Sequence, residues 1–221
     1  MGYRFRTIAV TMALLMVHVG IAQESGGPEA AFDGKWTGIT WPPIPDYKNL
    51  PFSEEGLAVI EAYDHDTDPI LKCLFDFGRM TTVSFPMEII TKEHQVTILY
   101  EYGHQVRRIF LDRTDFAGPY PPSLMGYSIG NWDGDTLVVE TSKILEGWVL
   151  MEGGVPFSEK TVVTERYNVD DTSEGKILNI EFTYDDPVYF TEPWSFAIQY
   201  KPSDFDIFPY DCTVGSVGSE L

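Results

Sequence analysis

The densest run of titratable side chains in this chain is Tyr100-Glu101-Tyr102-Gly103-His104-Gln105-Val106-Arg107-Arg108. A histidine near a carboxylate and an arginine can move a proton as general acid or base, while the guanidinium holds an anion or polarises a carbonyl. His104 and Glu101 are the acid–base candidates, Arg107 and Arg108 the anion holders, and Tyr102 a further acid. The same residue types also describe a hairpin end laced with cross-strand ion pairs. Strand alternation puts Glu101 and Tyr102 on opposite faces, so the whole string cannot enter one pocket.

A second motif runs from Met125 to Thr136, MGYSIGNWDGDT. Its Asp133-Gly134-Asp135 is hairpin-corner chemistry, and Gly126 and Gly130 mark close backbone approach within a strand. Ser128 has no histidine in the motif, which argues against a nucleophilic serine. The motif reads as structural except for Tyr127, which joins the site candidates as an acid on the pocket face. Asp64, Asp66 and Asp68 mimic the start of a calcium loop, but Pro69 stands where the loop needs glycine and Phe75 where it needs glutamate. His65, His94 and His104 are far apart in sequence. The expectation is no metal and no cofactor.

The elements that must position these residues are mostly strands. Ser53 to Ala62 predicts the one helix, with Ser53 as cap and Glu54 and Glu55 in its first turn. From Met80 onward the pattern is β, with strands expected at 80–84, 86–91, 95–102, 105–111, 126–132, 135–142, 159–168, 176–184 and 193–201. A last piece is expected near 205–212. Trp41-Pro42-Pro43-Ile44-Pro45 is an extended surface crossing, because prolines lack the ladder donor. Nine or ten strands at this spacing with tight turns predict an all-β fold. Its form is an antiparallel up-and-down barrel or strongly curled sheet, lipocalin- or calycin-like, with one short N-terminal helix. Strands apolar on both faces, and 14% aromatic residues, point to a lined cavity with Trp36, Tyr100 and Trp132 as ligand contacts.

The 221 residues fit one domain. Arg4 and Arg6, the apolar run to Ile21 and the small residues at 20–22 form the pattern of a secretory signal peptide. The boundaries expected are a signal peptide at 1–22, a disordered N-terminus at 23–31, one β-barrel-like domain at 32–212 and a flexible tail at 213–221. The mature chain would be periplasmic or secreted, without membrane insertion. Losing Arg4 and Arg6 takes the net charge from -19 to -21, which excludes nucleic acid and anionic lipid as partners. Cys73 and Cys212, an isolated pair in an exported chain, are expected to form one disulfide.

The mature chain resembles an uncharacterised family of exported bacterial β-rich proteins. The resemblance rests on Pro51-Phe52-Ser53-Glu54-Glu55-Gly56, Asp68-Pro69 with Cys73, Phe85-Pro86-Met87-Glu88-Ile89, Ile98 to His104 with Arg107-Arg108, Met125-Gly126, Gly130-x-Trp132-x-Gly134-Asp135-Thr136-Leu137-Val138-Val139, Tyr189-Phe190-Thr191-x-Pro193-Trp194 and Tyr210-Asp211-Cys212. Relatives carry Met-Gly-His-Ser where this chain has Met125-Gly126-Tyr127-Ser128. The resemblance implies export, one domain and the disulfide, and no reaction. Gly34, Trp36, Thr37 and Gly38 are also similar to the first strand of lipocalin-type barrels. The functional expectation is a barrel that binds a small apolar or aromatic molecule bearing a polar group. The alternative is a cofactor-independent lyase, isomerase or hydrolase using His104 and Glu101.

Overall fold

Period-2 alternation and tight corners fold this chain into a series of strands, most joined as hairpins, that curl until the first strand meets the last. The computed structural model describes residues 31–40, 47–115, 118, 120–150, 154–210 and 212. The expectations for residues 1–22, 23–30, the Trp41 to Pro45 crossing and the tail 213–221 lie outside the described residues. The strands are β1 (Gly34–Gly38), β2 (Met87–Lys92), β3 (Gln95–Tyr100), β4 (Val106–Phe110), β5 (Tyr127–Asp133), β6 (Thr136–Ser142), β7 (Gly147–Val149), β8 (Val155–Phe157), β9 (Val162–Thr172), β10 (Gly175–Asp185) and β11 (Trp194–Pro202). The helices are α1 (Glu54–Glu61) and α2 (Phe77–Thr82), with short 3-10 turns at 47–49, 65–67, 69–72 and 102–104.

Nine strands close into a barrel in the order β1-β11-β10-β9-β6-β5-β4-β3-β2, and β1 completes it by pairing with both β2 and β11. The all-β barrel with a short N-terminal helix is therefore the observed fold. Strands that alternate in direction cannot close in odd number unless one neighbouring pair runs parallel. That pair is β4–β5, joined only through Ile109 with Ser128 and Phe110 with Ile129. The strictly antiparallel expectation is corrected at this seam. β7 and β8 leave the barrel as a two-stranded arch between β6 and β9.

Inward side chains fill the barrel. Phe32 and Trp132 meet edge-on at 5.2 Å, and the Trp36 indole N–H donates to the Phe32 carbonyl at 2.8 Å, packing the end where β5 turns into β6. The other end is stoppered by α2, whose six residues are all buried. The expected strand at 80–84 is thus a helix through Thr82. The β-branched Thr81-Thr82-Val83 run favours a strand locally, but Asp76 caps the helix by accepting from the Arg79 amide at 3.0 Å. The Thr81 and Thr82 hydroxyls bond back to the Phe77 and Gly78 carbonyls at 2.8 and 2.6 Å. Gly78 lets the arch lie against the helix, since a Cβ there would come within 2.6 Å of the Trp148 carbonyl oxygen.

The segment after β11 is not the expected strand at 205–212; its described residues cross the α2 end as an irregular strap. The Phe208 amide donates to Glu101 at 3.0 Å and the Tyr210 amide to His104 Nε2 at 2.5 Å. The Tyr210 ring packs on Tyr102 at 5.0 Å, and Cys212 is disulfide-bonded to Cys73 across 139 residues. A cross-link closing so long a loop restricts the unfolded chain by about 4–5 kcal/mol. Replacing both cysteines by serine should lower the unfolding free energy by that order while leaving the far-ultraviolet spectrum of the barrel intact. Denaturant titration of the variant against the oxidised protein measures it, and coincident transitions would contradict the expectation.

Candidate functional site

Of two adjacent arginines on a strand, alternation sends one in and one out. Arg107 goes in and is 2% exposed; Arg108 goes out and is exposed. A guanidinium inside a barrel must have all its donors taken, because an unpaired buried charge is very costly. Here Nη1 donates to Glu165 Oε2 at 2.7 Å and to the Tyr167 hydroxyl at 3.2 Å. Nη2 donates to Glu165 Oε1 at 2.5 Å and to Thr141 Oγ1 at 2.8 Å, and Nε to Ser128 Oγ at 3.1 Å. Tyr167 in turn donates to Glu165 Oε2 at 2.7 Å. The Phe77 ring of α2 lies 4.9 Å from the guanidinium carbon. Burial alone would lower the Arg107 pKa, but Glu165 overrides it and holds the group well above its ordinary value. Burial also pushes the Tyr167 and Tyr100 phenols up, Tyr100 being drawn partly back by Arg107.

The parallel seam brings a surface groove up against this network. A groove of about 270 Å³ runs along β4 and β5, lined by Arg107, Arg108, Phe110, Tyr120, Met125, Tyr127 and Ser128. It joins the two sequence motifs, although they are separated along the chain by the whole Leu111 to Leu124 connection. Gly126 makes the junction possible: its φ is +64°, and a Cβ there would sit 2.7 Å from the Ser142 carbonyl oxygen. Three rings stack along the groove, Phe110 on Tyr127 at 5.2 Å and Tyr127 on Tyr120 at 5.1 Å. The Arg113 guanidinium carbon lies 3.8 Å from the Phe110 ring centroid, and Arg113 also bonds the Tyr127 hydroxyl.

The structure therefore divides the sequence candidates. Arg107, Arg108 and Tyr127 share the groove. Glu101, Tyr102 and His104 stand at the α2 end, where Glu101 and His104 each accept a strap amide and His104 is exposed. His104 also has a positive φ of 52°, a conformation histidine tolerates better than most residues. Burial raises the Tyr102 phenol to about 12, with Tyr210 adding to it. Trp36 and Trp132 pack the opposite end with Phe32, while Tyr100 is buried beside Arg107. Cys73 and Cys212 are joined.

Glu165, Tyr167 and Thr141 escaped sequence reasoning. The signal lay in β9, where Val163, Glu165, Tyr167 and Val169 alternate on one face, so the lone acid sits in an apolar row. Phe110, Tyr120, Arg113 and Met125 escaped because only the crossover brings them to Tyr127.

No family model matches the chain, and no curated protein or solved structure matches it. Its chemistry must be read from its own residues. Among the described residues, no group of three or more His, Cys, Asp or Glu is placed to hold a metal ion.

A second buried network lies on the outer side of α2. Arg79 pairs with Asp68 through both amines at 2.8 and 2.6 Å and with Asp76 at 3.1 Å, and Tyr63 donates to Asp68 at 2.6 Å. Burial would raise Asp68, but Tyr63, the Ile70 amide and Arg79 together bring it below the ordinary carboxylate range. For Asp76 burial wins and raises the pKa to about 6, despite Arg79 and the Arg79 and Trp148 amides, with Asp68 adding to the rise.

Two predictions follow from these networks. Arg107→Met should cost about 3–5 kcal/mol by stranding Glu165, and adding Glu165→Leu should recover most of it. Chemical denaturation of the single and double variants decides this; a double variant as unstable as the single would refute the pairing argument. Asp76, protonated more readily in the folded than in the unfolded chain, contributes stability that is full below its ordinary 3.8 and fades as pH rises through about 6. Asp68, and Asp186, which the Ser158 amide and the Thr161 hydroxyl hold below its ordinary value against burial, lose theirs on the acid side of 3.8 instead. The melting temperature should therefore decline from pH 4 to pH 6 more steeply than in Asp76→Asn, the two curves being compared over that window.

Proposed function

We propose that this protein is an exported small-molecule-binding barrel. Its ligand lies in the groove at the β4–β5 seam and is a small planar aromatic or apolar molecule bearing an anionic group. The observation that carries the reading is the convergence of Arg107 and Arg108 from one motif with Met125 to Ser128 from the other on one groove of about 270 Å³ lined by three stacked rings. Arg108 makes no ion pair among the described residues, whereas Arg107 is fully engaged. On a chain of net charge -19, a groove carrying arginines and aromatic faces favours a ligand of opposite sign with a π-face. The fixed Arg107–Glu165 network behind the groove supplies a rigid wall, as a preorganised binding site requires. The disulfide supports an oxidising compartment outside the cytoplasm. The acid–base reading of Glu101 and His104 is less favoured, because their acceptor atoms already hold the strap.

Calorimetric titration with 2-naphthoate and with uncharged 2-naphthol tests the proposal. Naphthoate should bind about tenfold tighter, and Arg108→Ala should remove that preference, while Tyr127→Ala weakens both ligands. Both variants should melt within a few degrees of the parent. Equal affinities for the two probes, or unchanged naphthoate binding in Arg108→Ala, would overturn the reading.

A further inference from the structure

The β7–β8 arch, α1 and the cap of α2 enclose a cleft of about 320 Å³, within the size range of ordinary ligand sites. Its walls include Trp148, Tyr189 and Phe157. Two carboxylates serve it, Asp76 from the helix cap and the exposed Glu146 at the rim. The electrostatics of this cleft are the reverse of the seam groove. Arg79 is shared between Asp68 and Asp76, so one guanidinium faces two carboxylates. Glu146 makes no ion pair among the described residues, and after burial it is its charge that helps hold the Tyr189 phenol above its ordinary value. The cleft thus joins unneutralised negative charge to aromatic faces. Small, strongly hydrated cations are held by converging oxygens, and no such set is placed here among the described residues. A weakly hydrated cation instead sits against aromatic rings with a carboxylate beside it.

We propose that this cleft is a second binding site, specific for a small organic ammonium ion, with Trp148 and Tyr189 as its aromatic walls and Glu146 and Asp76 as its counter-charges. The site is separate from the seam groove and takes ligands of opposite sign, so neither proposal depends on the other. Asp76 supplies depth, since its side chain is only 5% exposed. Glu146 supplies the accessible charge that a cation meets first.

The test is a nuclear magnetic resonance titration of the isotope-labelled protein with choline chloride and with its neutral isostere, in which carbon replaces the quaternary nitrogen. Choline should shift the signals of Gly147, Trp148 and Tyr189 and bind about fivefold tighter than the isostere. Glu146→Gln, a change at an exposed residue, should weaken choline about threefold and leave the isostere unchanged. Glu174→Gln, at the far turn between β9 and β10, controls for the general attraction of an acidic protein and should alter neither. Shifts confined to other regions, equal affinity for the two probes, or equal losses in the two variants would each overturn the proposal.

Discussion

One charge inside the barrel constrains nearly everything around it. Arg107 needs five donors satisfied at an almost wholly buried position, and the acceptors come from β5, β6 and β9. Shifting any of these strands by two residues would keep its inward face inward but remove an acceptor. In most strands hydrophobic alternation fixes which face is buried; the arginine fixes which residue stands opposite which. The ring of Phe77 above the guanidinium extends the same constraint to α2, so the stopper and the strands are set by one group.

The acceptors also explain why the seam holds. A pair of parallel strands joined at only two positions would be the weakest part of the wall. Here Ser128, on one side of the seam, accepts from Arg107, on the other, at 3.0 and 3.1 Å. The side-chain bridge does what the missing ladder would have done. It also leaves the outer surface open as a groove, which a continuous ladder would have filled with flat sheet.

Much of this was legible in the residues. Asp133-Gly134-Asp135 marks a corner, and the structure pairs Asp133 with Thr136 around Gly134 at φ +62°. Ser53 and the two glutamates after it mark α1, and the two cysteines mark their own bond. What was not legible depended on long-range contacts. Along β4 and the residue after it, Val106, Arg108 and Phe110 are as apolar a row as Arg107, Ile109 and Leu111, so no pattern says which arginine enters. The Thr81-Thr82-Val83 run reads as strand because its burial from every side, and the cap from Asp76, are supplied by distant parts of the chain. Glu101 and His104 look like chemistry because the strap whose amides they accept lies over a hundred residues away.

The pairing of β1 with β11 has a consequence for the order of events during synthesis. β11 begins about 160 residues after β1, so until it is in place the sheet has two open edges, on β1 and on β10. Cys73 waits over the same interval for Cys212. A chaperone that covers strand edges and an oxidant that spares a lone thiol would serve the chain during that wait. Closure of the wall and the Cys73–Cys212 bond both depend on the C-terminal part of the chain.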